Sequence, residues 1–139
     1  MHKYLTKIYC FIDQLNLQEL KKINNNIGII YRKYEKKIDE NSLILIRNYC
    51  KKKNQQLYLS NNIKLAVQLR LNGSYIPSFN NKLNTKRLSI PCNFNLIGSA
   101  HNRLEIKIKE KQGCKLIFLA PIFKVFKKKQ YLDICKFNY

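Results

Sequence analysis

The sequence predicts an α/β protein with parallel strands, on three observations. Short runs rich in β-branched and aromatic residues begin at roughly positions 8, 27, 56, 74, 95 and 116. Most of the intervals between them hold apolar residues at helical spacing. One stretch, Asn95 to Phe123 (NLIGSAHNRLEIKIKEKQGCKLIFLAPIF), reads as a complete strand, polar turn, helix and strand. Parallel strands need a long right-handed crossover, and ligands collect on the loops that leave the strands' C-terminal ends. Gly98 to Asn102 and Ala120 to Lys124 are therefore expected on one rim.

In chain order, KIYCFI (7–12) is the first strand, ending at Asp13. Asp13 also cuts the N-terminal apolar run short, and no small-residue cleavage site follows, so this is a strand rather than a signal peptide. Asn16 opens a helical stretch through about Ile23, which places Leu17, Leu20 and Ile23 on one face. IGIIY (27–31) delivers Arg32 to a strand end. Asn41 or Ser42 is expected to cap the next helix, with Leu43, Ile46, Tyr49 and Cys50 as its buried stripe and Lys51 to Lys53 complementing the helix dipole. Gln56 to Leu59 is the third strand, Ser60-Asn61-Asn62 a turn and Ile63 to Leu71 a helix. Ser74 to Ile76 is the fourth strand, stopped by Pro77.

Asn80 to Asn93 reads as a polar loop broken by Pro91. After the short strand Asn95 to Ile97 and the turn Gly98 to His101, the segment holding Leu104, Ile106 and Ile108 alternates like a strand. Asn102 with Glu105 three positions on is nonetheless a helix-start signature, and it favours helix. Gly113 closes that helix, and Leu116 to Leu119 is the last strand. A (β/α)8 barrel usually takes about 250 residues for eight units. With 139 residues, the chain fits either an open sheet or a single partial barrel domain, 1–139, holding about six of eight βα units.

Composition narrows the classes. An apolar fraction of 45% fits one globular domain, and no uncharged apolar run reaches the roughly 18 residues of a membrane span. Five scattered cysteines, Cys10, Cys50, Cys92, Cys114 and Cys135, include no C-x-x-C pair. That pattern predicts reduced thiols in a cytoplasm, not a disulfide framework or a zinc site. Core packing is the expected role of Cys10 and Cys114, which lie in apolar runs. The net charge of +19 is read first as a general richness in Lys, Asn and Ile. A basic nucleic-acid-binding module is the competing reading, but the aromatics are not interleaved with the basic residues as base-stacking surfaces require.

The order and spacing of several short motifs resemble the thiamine-phosphate synthase and thiazole tautomerase family of small barrels, from about Tyr4 to Lys129. The motifs are Asp13 and Arg32 at the first two strand ends, the turn Ser60-Asn61-Asn62 where the family has Asn-Asp-Arg, and the helix IKLAVQLRLNG. They continue with Gly73-Ser74-Tyr75-Ile76 where the family has Gly-Val-His-Leu, then IGSAHN, then APIF followed by lysines where the family has Gly-Pro-Val-Phe-Pro-Thr and a lysine. The resemblance implies a barrel of thiamine biosynthesis. A synthase joins a pyrimidine methyl pyrophosphate to a thiazole phosphate with Mg²⁺, and a tautomerase moves a proton on the thiazole system. It also implies His101 and Ser99 near the ring as catalytic residues, and Arg32, Lys124, Lys127 and Lys128 on phosphate.

The departures are specific. Asn61 and Asn80 stand where the synthases carry Mg²⁺-binding aspartates, and a neutral amide is a poor ligand for a hard dication. No metal or other cofactor is therefore expected here. The second-strand motif keeps Arg32 but not the family's glutamine or lysine position. The Gly-x-Ser-x-His turn is one residue shorter, and Val125 replaces the phosphate-binding threonine.

Each candidate also has a plainer role. His101 could be a proton-transfer group at a rim or a turn histidine bonding the backbone. Arg32 followed by Lys33 fits a bidentate phosphate clamp or an ion pair to Glu35 or Asp39. Lysines 124 and 127 to 129 could close over a phosphate or form a solvated face. The expected activity is handling of a phosphorylated thiazole or pyrimidine in the cytoplasm without the Mg²⁺-dependent synthase step. The alternative is a catalytically degenerate barrel that binds a ligand or partner. The ending after KFNY suggests a truncated chain, and an open barrel edge predicts self-association there.

Overall fold

A computed structural model describes residues 5–34, 37–83 and 89–122. It has six strands and four helices in alternating order, broken only between the fourth and fifth strands. Strand order follows chain order, and every recorded pairing is parallel. The chain divides into two compact units, residues 1–75 with 90–95 and residues 76–89 with 96–139.

The first unit is built on β1 (Tyr9–Ile12), β2 (Gly28–Tyr31), β3 (Leu57–Ser60) and most of β4 (Gly73–Ile76). Its register pairs Cys10 with Ile29, Ile30 with Tyr58 and Leu59 with Ser74. β2, β3 and β4 are buried on both faces. That is why β2 and β3 read as nearly continuous apolar runs rather than alternating ones. Ile29, Ile30, Leu57, Tyr58 and Leu59 form the core with Leu20, Leu43, Ile46, Cys50 and Ala66 from the helices. At Gly73 an added Cβ would fall 1.9 Å from the carbonyl oxygen of Asn95, so only glycine fits where these two backbones meet.

The helices of this unit are α1 (Leu17–Leu20), α2 (Glu40–Lys52) and α3 (Ile63–Gln68). Asn16 caps α1 as expected, but the helix is one turn long and ends before Ile23. α2 departs from expectation at its start, because Asp39 rather than Asn41 or Ser42 is the N-cap. Its carboxylate accepts from the Asn41 N–H at 3.1 Å and from the Ser42 hydroxyl at 2.5 Å. A carboxylate in extended backbone satisfies these donors better than an amide one turn inside, and the contacts hold the Asp39 pKa below the usual range. Leu43, Ile46 and Cys50 are buried as the stripe predicts, with Tyr49 half-buried. α3 stops at Gln68, short of Leu71, and Arg70 takes a left-handed φ of 52°.

The second unit contains the end of β4, β5 (Asn95–Ala100) from Leu96 on, α4 (Arg103–Lys111) and β6 (Leu116–Leu119). The strand β5 runs on through Gly98, Ser99 and Ala100, where sequence reading places a polar turn. The cause is the ladder with β6, which pairs Gly98 with Ile117, Ser99 with Phe118 and Ala100 with Leu119. Gly and Ser disfavour strands on their own, but cross-strand hydrogen bonds override that preference. Asn102 caps α4, settling the helix–strand ambiguity there in favour of helix, and Gly113 ends the segment at φ 86°. Among the described residues, no helix is long and apolar enough to cross a membrane.

Candidate functional site

Three loops of the second unit leave the C-terminal ends of β4, β5 and β6, carrying Ser78, His101 and Ala120 respectively. The Ser78 hydroxyl lies 3.0 Å from Nε2 of His101, and Nδ1 of the same ring bonds the carbonyl oxygen of Ala120. A carbonyl only accepts, so Nδ1 carries the proton and a neutral ring presents Nε2 as the acceptor of the Ser78 O–H. A charged ring would donate from Nε2 to Ser78 instead. The pair can therefore pass a proton in either direction while Ala120 fixes the ring.

Both partners are held from behind. The Ser78 N–H donates to Ser99 Oγ at 3.0 Å, so Ser99 positions the turn after β4 from its place on β5. The His101 N–H donates to Oε2 of Glu105 at 2.7 Å, and the Glu105 N–H donates to Oδ1 of Asn102 at 2.9 Å. Oε1 of Glu105 also accepts from the Asn102 amide at 3.2 Å. This is the reciprocal capping box that Asn102 and Glu105 announce, with the return bond landing on His101 itself. The cap thus fixes the backbone of the ring-bearing residue as well as the helix start.

Beneath the turn, Lys109 and Gln112 are buried and bond the backbone carbonyl of Asn80. The Asn80 side-chain oxygen accepts from the Lys82 N–H at 3.1 Å. Burial lowers the Lys109 pKa from its ordinary value, against the nearby Cys114 and Glu105, which raise it. The Cys114 thiol is pushed up to about 11 by its own burial.

The remaining sequence candidates lie elsewhere. Arg32, at the end of β2 in the first unit, stacks its guanidinium over the Phe11 ring at 5.1 Å, and its N–H donates to the Ile12 carbonyl. That is a cation–π contact, and the carboxylate of Asp39, one of the two acids offered as an ion-pair partner, caps α2. Asn61 is exposed in the same unit at φ 58°, and its N–H donates to Tyr75. Lys124, Lys127 and Lys128 lie outside the described residues, as does Glu35. Cys10 and Cys114 are half-buried and Cys50 fully buried, all as free thiols. Among the described residues, no three His, Cys, Asp or Glu side chains gather to hold a metal ion.

Sequence reasoning missed Ser78, Lys109 and Gln112. Ser78 had a signal, since it directly follows Pro77, which stops a strand on the ligand-bearing side. The class that fold and site define is a parallel α/β protein with a histidine–serine pair at its strand C-terminal ends, the usual ligand side of such sheets. No protein-family model matches the chain, and no curated protein matches it.

Proposed function

We propose that the chain is a thiamine-phosphate synthase or thiazole tautomerase-type protein of the cytoplasm, acting by proton transfer on a phosphorylated thiazole rather than by Mg²⁺-dependent coupling. The observation that carries this reading is the oriented ring of His101, tied through Nδ1 to Ala120 and facing Ser78 through Nε2. A ring held in one tautomer at the ligand side of a parallel sheet is suited to move a proton on a bound heterocycle. Ser99 supports the reading as the residue that positions the turn carrying Ser78.

The metal half of the family's chemistry does not fit these residues. The side-chain oxygen of Asn80 is engaged by a backbone N–H, and its carbonyl lies 2.7 Å from the Lys109 ammonium. A dication beside that ammonium would be repelled, and a neutral amide offers it no charge. The resemblance assigns phosphate binding to Arg32 and to the lysines at 124, 127 and 128; Arg32 lies in the first unit with its guanidinium over the Phe11 ring, and the lysines lie outside the described residues.

The test is tautomerisation of a phosphorylated thiazole in D₂O, followed by NMR. Turnover by the native chain and a loss on the order of a hundredfold in His101→Gln is expected, the usual size of a general acid–base contribution. The absence of both turnover and heat stabilisation by thiazole phosphate would overturn the reading. Stabilisation without turnover would favour a binding protein that has lost the reaction.

A further inference from the structure

The inner face of α4 is occupied by the wrong kind of residue for a simple packing helix. Leu104 is 74% exposed, while Lys109 is 0% and Gln112, just past the helix end, 2% exposed. The Lys109 stem passes Gly98, where an added Cβ would come within 3.0 Å of its Cδ. Its Nζ donates to Asn80 O at 2.7 Å and to Gln112 Oε1 at 3.1 Å. Gln112 Nε2 in turn donates to Asn80 O at 2.8 Å and to Lys82 O at 2.9 Å. Both acceptors of the ammonium are neutral, so burial of this charge is costly, and an apolar residue of similar length would serve packing as well or better.

What the charge does hold is a turn. Asn80 donates its own N–H to Pro77 O at 3.0 Å, closing the turn on which Ser78 sits. The same helix therefore grips this turn from below with Lys109 and Gln112, while its N-terminal end carries His101.

We propose that Lys109 and Gln112 are positioning residues for the His101 site, holding turn 77–82 by its backbone carbonyls so that the Ser78 hydroxyl stays on Nε2. This rests on the reading of His101 as the proton-transfer group, but its main readout needs no turnover. In the ¹⁵N-labelled full chain, the His101 ring, assigned with His101→Gln, shows one nitrogen protonated and one bare. In Lys109→Met and in Gln112→Met the two nitrogen shifts move toward the average of a free histidine, and kcat for ring proton transfer falls on the order of tenfold. Leu104→Ala, on the exposed side of the helix, leaves the pattern as it was.

A folded Lys109→Met chain with the native ring pattern overturns the proposal, as does an equal disturbance by Leu104→Ala. Should neither Met variant fold, the native chain decides. Slow exchange of the Lys109 ammonium protons supports the clamp, and exchange as fast as that of exposed lysines refutes it. If the ring pattern responds but the native chain turns over no thiazole, the clamp stands and the proposed reaction falls.

Discussion

The two compact units solve the problem of burial differently. In the first, the stripe of α2 is apolar, Ile, Leu, Tyr and Cys fill the core, and the polar side chains buried beside them, Gln55, Gln56, Ser60, Ser74 and Asn95, are all neutral. In the second, the inward face of α4 presents an ammonium and an amide to backbone carbonyls. Apolar burial stabilises without regard to direction, whereas a buried hydrogen-bond network fixes one arrangement of a loop. The first interior suits a scaffold. The second suits a turn that must hold a hydroxyl against a ring.

The largest expected effect breaks the scaffold. Gly73→Ala drives a methyl into the Asn95 carbonyl oxygen at 1.9 Å, and the backbone must shift at a cost of about 3 kcal/mol or more. Chemical denaturation should show a large fall in midpoint or no folded chain at all, whereas an unchanged midpoint would mean that the two backbones can move apart without cost.

Alkaline pH sharpens the contrast between the interiors. Burial pushes the Cys50 thiol from 9.0 up to about 12, and burial raises Tyr58 as well. Above about pH 9 the unfolded chain releases the Cys50 proton while the folded chain keeps it, so stability falls by about 1.4 kcal/mol per pH unit for that group. Lys109 runs the other way. Its lowered pKa means that between the folded value and 10.5 the unfolded chain binds a proton the folded chain has lost, so its contribution rises with pH. Urea midpoints at about pH 8.5 and about pH 10 should therefore fall in the native chain, fall less in Cys50→Val, and fall more in Lys109→Met.

The smallest effect concerns the cap. Asn102→Ala removes the acceptor of the Glu105 N–H and should cost about 1 kcal/mol. It should also loosen the Glu105 bond to the His101 N–H, which amide exchange at His101 would report. Faster exchange with little loss of global stability is the expected pattern, and equal exchange in both chains would separate the cap from the site.

Much of the fold was legible because its causes are local. The strand runs, the buried stripe Leu43, Ile46 and Cys50, and the Asn102–Glu105 box each depend on residues within a turn or two of one another. The misplaced features fail for an identifiable reason. Asn41 and Ser42 looked like caps, yet Asp39 holds the stronger acceptor two residues earlier. Gly98 to Ala100 looked like a turn, yet pairing with β6 draws them into strand. His101 and Ser99 were found as rim residues, but Ser78 was not, because it meets His101 across 23 residues of sequence.

By itself, then, the sequence determined the parallel α/β class, the helix that follows His101, and the neutral amides at Asn61 and Asn80. Composition, periodicity and capping act over a few residues, which is as far as one chain read in order can reach. Only the tertiary structure decided which nitrogen of His101 faces Ser78, that Arg32 rests on Phe11, and that a lysine fills the inside of α4. Those outcomes depend on strand register and on how deeply each side chain is buried, and burial is set by everything packed around it.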